Sequence, residues 1–320
     1  MMTGALFTAV VLLTTGFCSG ENVLPPGPMN GALGESVMFN TSIGSAGPFI
    51  TIIWNFNGGS GSGSVLVVTV TPGGTTPTPG YLGRISVNNI TGSMELRELT
   101  LGDIGRYTVS MVPNIGDALN GETTLKVYEK ISGAEITGPS EPLIAGSSSA
   151  NLSYQAAAGT SISREWLKDD QPLSPSNRIT FSEDKSSVSI SPVESSDNGE
   201  YQCRLSNPVS TDTARHTLTV NYGPQDVVIN GTNTGESTAE VNSRVTLKCS
   251  AVSLPPANFL WLVNGTERAE KSIFTIEKFT PYDAGNYTCV ASNDVTGLKV
   301  SAKHSVKGSS SIQVVLTTVL

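Results

Sequence analysis

The sequence predicts an all-β fold of three tandem two-sheet sandwiches. Three observations carry this. The only three tryptophans each open the same pattern: Trp54 is followed by Asp103-Ile-Gly105-Arg-Tyr107, Trp166 by Asp197-Asn-Gly199-Glu-Tyr201-Gln-Cys203, and Trp261 by Asp283-Ala-Gly285-Asn-Tyr287-Thr-Cys289. The composition is dominated by Ser, Thr, Gly, Asn and Val, with 33 Gly and 18 Pro as frequent turn residues, which suits short strands joined by turns. Removing residues 1–20 leaves 300, about 100 per tryptophan, the size of one sandwich.

Residues 1–20 read as a secretory signal peptide. An apolar run from Ala5 to Leu13 precedes small residues at Cys18 and Gly20, and the run is too short to span a bilayer. The first sandwich is expected over 21–128. Val37, Phe39 and Thr41 alternate as a strand B, with Thr41 where strand B usually carries cysteine. Trp54 lies 13 residues on, as strand C. Asn57-Gly58 turns the chain, and the β-branched run Val65–Val70 reads as strand C′. The 53 residues from Trp54 to Tyr107 leave room for both C′ and C″, as in a variable-type sandwich. Val109 fills the cysteine slot of strand F, so this sandwich is expected to lack an inter-sheet disulfide.

The second sandwich is expected over 132–222, reached through Tyr128–Pro139. Tyr154 occupies the cysteine slot of strand B, so Cys203 on strand F has no partner there. Only 35 residues separate Trp166 from Tyr201, too few for a C″ strand. The third is expected over 223–307, after a junction at Asn221-Tyr-Gly-Pro224 where proline resists strand continuation. It alone has both cysteines, Cys249 and Cys289, and the most compact interval, 26 residues from Trp261 to Tyr287. A buried Trp with Asp-x-Gly-x-Tyr-x-Cys marks an immunoglobulin sandwich; the second and third are of a shorter, constant or intermediate type. Residues 308–320 form a short apolar tail, read as a lipid-anchor signal, a truncated anchor signal, or the end of a secreted chain.

The same pattern assigns several site roles. Tyr107, Tyr201 and Tyr287 sit two residues before the F-strand cysteine slot, the tyrosine-corner position. Arg84 with Asp103, and Arg178 with Asp197, are spaced to pair across the sandwich floor. Cys203 is either a buried thiol near Tyr154 and Trp166 or an intermolecular bridge. Six sequons, at Asn40, Asn89, Asn151, Asn230, Asn264 and Asn286, behind a secretory signal point to a glycoprotein.

Other chemistries find no residues to carry them. The two histidines, His216 and His304, have no partners at motif spacing, no zinc or calcium pattern appears, and Gly58–Gly63 lacks the lysine of a phosphate loop. Neither catalysis, a metal nor a cofactor is expected. A net charge of −8 without a basic stripe excludes nucleic acid as a partner. The candidate binding surface is the GFCC′ face of the first sandwich. With Trp54, Tyr107, Val109 and Met111 facing in, Ile53, Asn55, Thr108, Ser110 and Val112 face out. Ile53 and Val112 are then apolar on an open sheet, a pattern that marks a partner site when contiguous. Ile50 and strand C′ extend it, while Asn40 and Asn89 are expected on the other sheet or its edges.

The chain resembles the carcinoembryonic-antigen-related cell adhesion molecules. Thr75-Thr-Pro77-Thr-Pro79-Gly80-Tyr-Leu-Gly83-Arg84 is similar to their C″–D region, and Leu101-Gly-Asp103-Ile-Gly-Arg-Tyr107-Thr108 to their strand F. Tyr201-Gln-Cys-Arg-Leu-Ser-Asn207-Pro208-Val-Ser is similar to their F–G hairpin, and Tyr222-Gly-Pro224 to their interdomain joint. The resemblance implies adhesion through the N-terminal GFCC′ face, with Ile50, Ile53, Asn55, Ser64, Ser110 and Val112 at contact positions. It implies protein partners, homophilic or heterophilic, among immunoglobulin-superfamily surface proteins. The residue types differ from that family's aromatic and glutamine choices, and Tyr154 replaces a cysteine. The expected function is that of an extracellular, cell-surface or secreted adhesion or recognition glycoprotein; the alternative is a secreted decoy or ligand-binding receptor without self-affinity.

Overall fold

The computed structural model describes residues 22–44, 48–59, 61 and 63–309. The leader expected over 1–20, most of the tail, and part of the Gly58–Gly63 run lie outside them. The described residues are strands and turns, with helix confined to four three-residue 3-10 turns. They divide into two compact units: Met1–Gly133 with Ala156–Ser163 and Ser206–Asp212, and Ala134–Gln155 with Arg164–Leu205 and Thr213–Leu320, each over its described residues.

The first unit contains nine strands: β1 (Met29–Ala32), β2 (Val37–Phe39), β3 (Phe49–Asn57), β4 (Val65–Thr71), β5 (Gly74–Pro77), β6 (Ile85–Val87), β7 (Met94–Leu96), β8 (Gly105–Pro113) and β9 (Leu119–Tyr128). Six form a sheet in the order β1-β9-β8-β3-β4-β5, and three form the order β2-β7-β6. Strand C is thus β3, C′ is β4, C″ is β5, F is β8 and G is β9. The two sheets enclose Trp54, Phe39, Tyr107, Met94 and Met111, all essentially without solvent contact. Phe39 lies 5.5 Å from Trp54 and 4.7 Å from Tyr107 between ring centroids, so the three rings pack together between the sheets. The Trp54 indole N–H donates to the Gly92 carbonyl at 3.1 Å. Gly92 has φ of 77°, and a Cβ there would stand 2.1 Å from the Met111 sulfur. Only glycine allows that turn to close on the core.

The chain continues through β10 (Glu135–Thr137), β11 (Leu143–Ile144), β12 (Ala150–Gln155), β13 (Ser163–Lys168), β14 (Gln171–Pro172), β15 (Ile179–Phe181), β16 (Ser187–Ile190), β17 (Gly199–Asn207) and β18 (Ser210–Leu218). Their sheets are ordered β10-β12-β16-β15 and β14-β13-β17-β18. Tyr128–Pro139 is therefore not only a connection, because β10 within it pairs with β12. Then come β19 (Val220–Ile229), β20 (Thr234–Ala239), β21 (Val245–Leu254), β22 (Asn258–Val263), β23 (Thr266–Ala269), β24 (Ile273–Ile276), β25 (Gly285–Asn293) and β26 (Leu298–Gly308). These build the orders β11-β19-β21-β24 and β20-β26-β25-β22-β23. Cys249 on β21 is bonded to Cys289 on β25.

Strand β19 corrects one expectation. Pro224 does not interrupt the chain there; the strand runs through it, pairing first with β11 and then with β21. The register shifts between Tyr222 and Gln225, and an irregular step of this kind has no use for the N–H that proline lacks.

The repeated Asp-x-Gly-x-Tyr pattern builds the same corner three times. Each tyrosine hydroxyl donates to the carbonyl of the aspartate four residues earlier: Tyr107 to Asp103 at 3.0 Å, Tyr201 to Asp197 at 3.0 Å and Tyr287 to Asp283 at 2.6 Å. Each aspartate carboxylate accepts the backbone N–H three residues before it, from Thr100, Glu194 and Thr280. Burial pushes all three phenol pKa values up, so the tyrosines stay protonated donors. Arg84 pairs with Asp103 at 2.5 Å and Arg178 with Asp197 at 2.7 Å. Both carboxylates are nearly buried, and removing either arginine would strand a desolvated charge.

His304 sits inside the last sheet, between Tyr287 on β25 and Gly235 on β20. It is 6% exposed, and its Nε2 lies 3.0 Å from the Ser237 hydroxyl. Burial lowers its pKa from the ordinary 6.5. The unfolded chain then takes the proton first as pH falls through about 6.5. The stability held above that pH is lost progressively toward the lower folded-state value. Urea midpoints of this region should fall between pH 7 and 5, and His304→Gln should flatten the decline; an unchanged slope would show that His304 does not drive it.

Candidate functional site

The GFCC′ face is the outer surface of β9-β8-β3-β4, and its side chains lie in rows set by strand register. One row runs Leu66, Asn55, Thr108, Glu122; the next runs Thr69, Ile53, Ser110, Asn120. Val112 stands opposite Thr51 in the row beyond. Ile53 is therefore the apolar centre of a field of hydroxyl and amide groups, half-buried by its neighbours. Asn55, Ser110 and Val112 are likewise half-buried, and Ser64 is exposed in the loop before β4. A recess of about 570 Å³ opens on this face, bordered by Asn55, Thr108, Ser110, Asn120 and Glu122. Asn22 closes its edge: its amide group donates to the Glu122 carbonyl at 3.1 Å and accepts the Glu122 N–H at 2.8 Å.

Two irregularities shape the face. Pairing slips between Phe49 and Thr51, so Ile50, which strict alternation from Trp54 would turn inward, is 48% exposed while Phe49 is buried. On β4 the partner of Asn55 is Leu66 and that of Trp54 is Val68, which skips Val67. Val67 and Val68 are both buried and Leu66 is 39% exposed. An extra residue in one strand re-aims the side chains beyond it. Sequence reading placed strand C′ on the face only as a whole, without singling out Leu66 or Thr69, and did not identify Asn120 and Glu122. Leu66 was hidden by the bulge, but Asn120 and Glu122 were within reach of the same alternation applied to strand G.

The sequon asparagines Asn40, Asn89, Asn151, Asn230, Asn264 and Asn286 are all exposed. Asn40 comes just after β2 and Asn89 just after β6, so both adjoin the three-stranded sheet rather than the GFCC′ face. Among the described residues no cluster of His, Cys, Asp or Glu is arranged to hold a metal ion, and no helix is long and apolar enough to cross a membrane.

Cys203 is fully buried, and burial pushes its thiol pKa up to about 12 against the opposing charge of Arg164. The Arg164 guanidinium stacks over the Tyr154 ring at 5.0 Å. The space that a Cys–Cys bridge would fill thus has an arginine at its side, a residue that the motif spacing does not single out. Its signal was there, since Arg164 precedes Trp166 by two and shares its face. The protonated, enclosed thiol should resist iodoacetamide at pH 8 in the native protein and react fully in denaturant; native alkylation would overturn this.

Two family models match the chain, an immunoglobulin I-set domain over residues 136–220 and an immunoglobulin domain over 228–293. HEPACAM family member 2 of Bos taurus is 26% identical over 318 residues, covering 91% of this chain and 62% of that protein. The chain thus spans under two thirds of the bovine relative's length. Cell adhesion molecule CEACAM16 of Mus musculus is 27% identical over 304 residues, covering 92% of this chain and 70% of that one. Among solved structures, murine CEACAM1b aligns with a TM-score of 0.51 at 24% identity, over 60% of this chain and 96% of that chain. A structure of Dpr2 Ig1-Ig2 in complex with DIP-Theta Ig1-Ig3 aligns with a TM-score of 0.54 at 16% identity, over 91% and 98%. These two similarities speak to the fold.

Proposed function

We propose, from the premise that this chain is a divergent member of the immunoglobulin superfamily, that it is an extracellular adhesion or recognition glycoprotein working through the GFCC′ face of its first sandwich. In this reading three sandwiches, over 21–128, 132–222 and 223–307, come after a cleaved leader, and the second and third act as spacers. The observation that carries it is Ile53, an apolar side chain at the centre of an outward sheet face that no sequon adjoins. Apolar side chains set among polar ones on an outward sheet face are the kind that a docking partner covers. Ile50, Val112 and Leu66 add apolar side chains to the same face, and Asn55, Ser64 and Ser110 supply polar contacts between and beside them. The relatives support the general class, since CEACAM16 is described as a cell adhesion molecule.

Two copies of such a face docking together would form an isologous contact. Individually weak contacts gain strength when many copies share a surface. Aggregation of beads carrying the full chain tests self-adhesion directly. If beads do not clump yet the chain is recovered from culture medium rather than from cells, the secreted decoy replaces this reading.

A further inference from the structure

Two of the six sequons meet in space. Asn264-Gly265 is the two-residue turn between β22 and β23, with φ of 51° and 85°, the positive values that an Asn-Gly hairpin turn requires. The turn folds back onto the start of β25. The Asn264 N–H donates to the Asn286 carbonyl at 2.9 Å, and the Asn264 side-chain oxygen accepts the Asn286 N–H at 2.9 Å. The fit is close enough that a Cβ on Gly285 would stand 2.5 Å from that oxygen. Both asparagines nevertheless face solvent.

The same bridge occurs one sandwich earlier without any sequon. Asp169, at the turn after β13, donates its N–H to the Glu200 carbonyl at 2.9 Å and accepts the Glu200 N–H on its carboxylate at 2.9 Å. The bridge is therefore structural, and the Asn264 oxygen is committed to it. Its amide nitrogen, the atom that carries sugar, belongs to an exposed residue held directly against the exposed Asn286.

We infer that Asn264 and Asn286 form one coupled glycan site, in which the carbohydrate on either residue shields the carbohydrate on the other from enzymatic trimming. This rests on the secreted-glycoprotein reading. A glycan is bulky and solvent-filling, and two of them rooted on hydrogen-bonded residues share the same solid angle. Asn151, exposed on β12 opposite Ser189, has no sequon partner and serves as an internal reference.

The test removes each sequon while keeping its asparagine, through Thr266→Val and Thr288→Val, in the full chain made in a vertebrate secretory cell line. Glycopeptides are analysed by mass spectrometry with and without endoglycosidase H. In the wild type, both Asn264 and Asn286 should carry endoglycosidase-sensitive oligomannose chains while the Asn151 chain is resistant. Thr266→Val should make the Asn286 chain resistant, and Thr288→Val should do the same for Asn264. Resistant chains at both positions in the wild type, sensitivity unchanged in the two variants, or a bare asparagine at either position would overturn the coupling. If Asn40, Asn89, Asn151 and Asn230 are bare as well, the glycoprotein reading itself has failed.

Discussion

Beads coated with the full chain are expected to clump, and Ile53→Arg is expected to abolish the clumping. Ile53 faces out between Ser110 and Thr69, across the strand pairs β3-β8 and β3-β4. An arginine there reaches solvent in the free protein, so the sandwich should fold with an unchanged melting temperature. In a face-to-face pair the two guanidinium groups would oppose one another near the centre of the contact. Like charges juxtaposed across an interface cost several kcal/mol, and about 1.4 kcal/mol is already tenfold in affinity. The loss should therefore exceed tenfold. Ile50→Arg, at the bulged end of β3, should cost less because the rim stays wet. Clumping that survives Ile53→Arg means the contact lies elsewhere. Wild-type beads that stay dispersed point to a heterophilic partner.

The second large effect concerns stability and divides the chain by redox state. Reduction, or Cys249→Ala with Cys289→Ala, should destabilise the sheets that β21 and β25 belong to by about 2–5 kcal/mol. The bridge spans 40 residues between β21 and β25, so its loss releases a long loop in the unfolded chain. Thermal unfolding with and without reductant should move one transition downward. The sheets of β1–β9 should not respond, because Thr41 and Val109 stand where cysteines would. Their centre is held by Phe39, Trp54 and Tyr107, with the Phe39 ring packed against both of the others. A transition of β1–β9 that moves with reductant would contradict this account.

Much of this was legible along the chain. The Trp and Asp-x-Gly-x-Tyr repeats are local signals tied to fixed positions in a sandwich, so strands C and F, the tyrosine corners and the two arginine–aspartate pairs could be assigned from spacing alone. The period-two alternation about Trp54 and Tyr107 also placed Ile53, Asn55, Ser110 and Val112 on one outward face. What alternation cannot carry is an extra residue. The bulge on β4 and the slip at Phe49 change which side chains emerge, because inserting one residue inverts the facing of every later position in the strand. Strand continuity through Pro224 likewise depends on whether the neighbouring strand needs that N–H. The arginine beside Cys203 and the meeting of Asn264 with Asn286 have the same origin. Each joins residues far apart in sequence, which only the folded arrangement of strands brings within hydrogen-bonding or stacking distance. Residue type and local period are written in the chain, whereas register and proximity belong to the closed sheets.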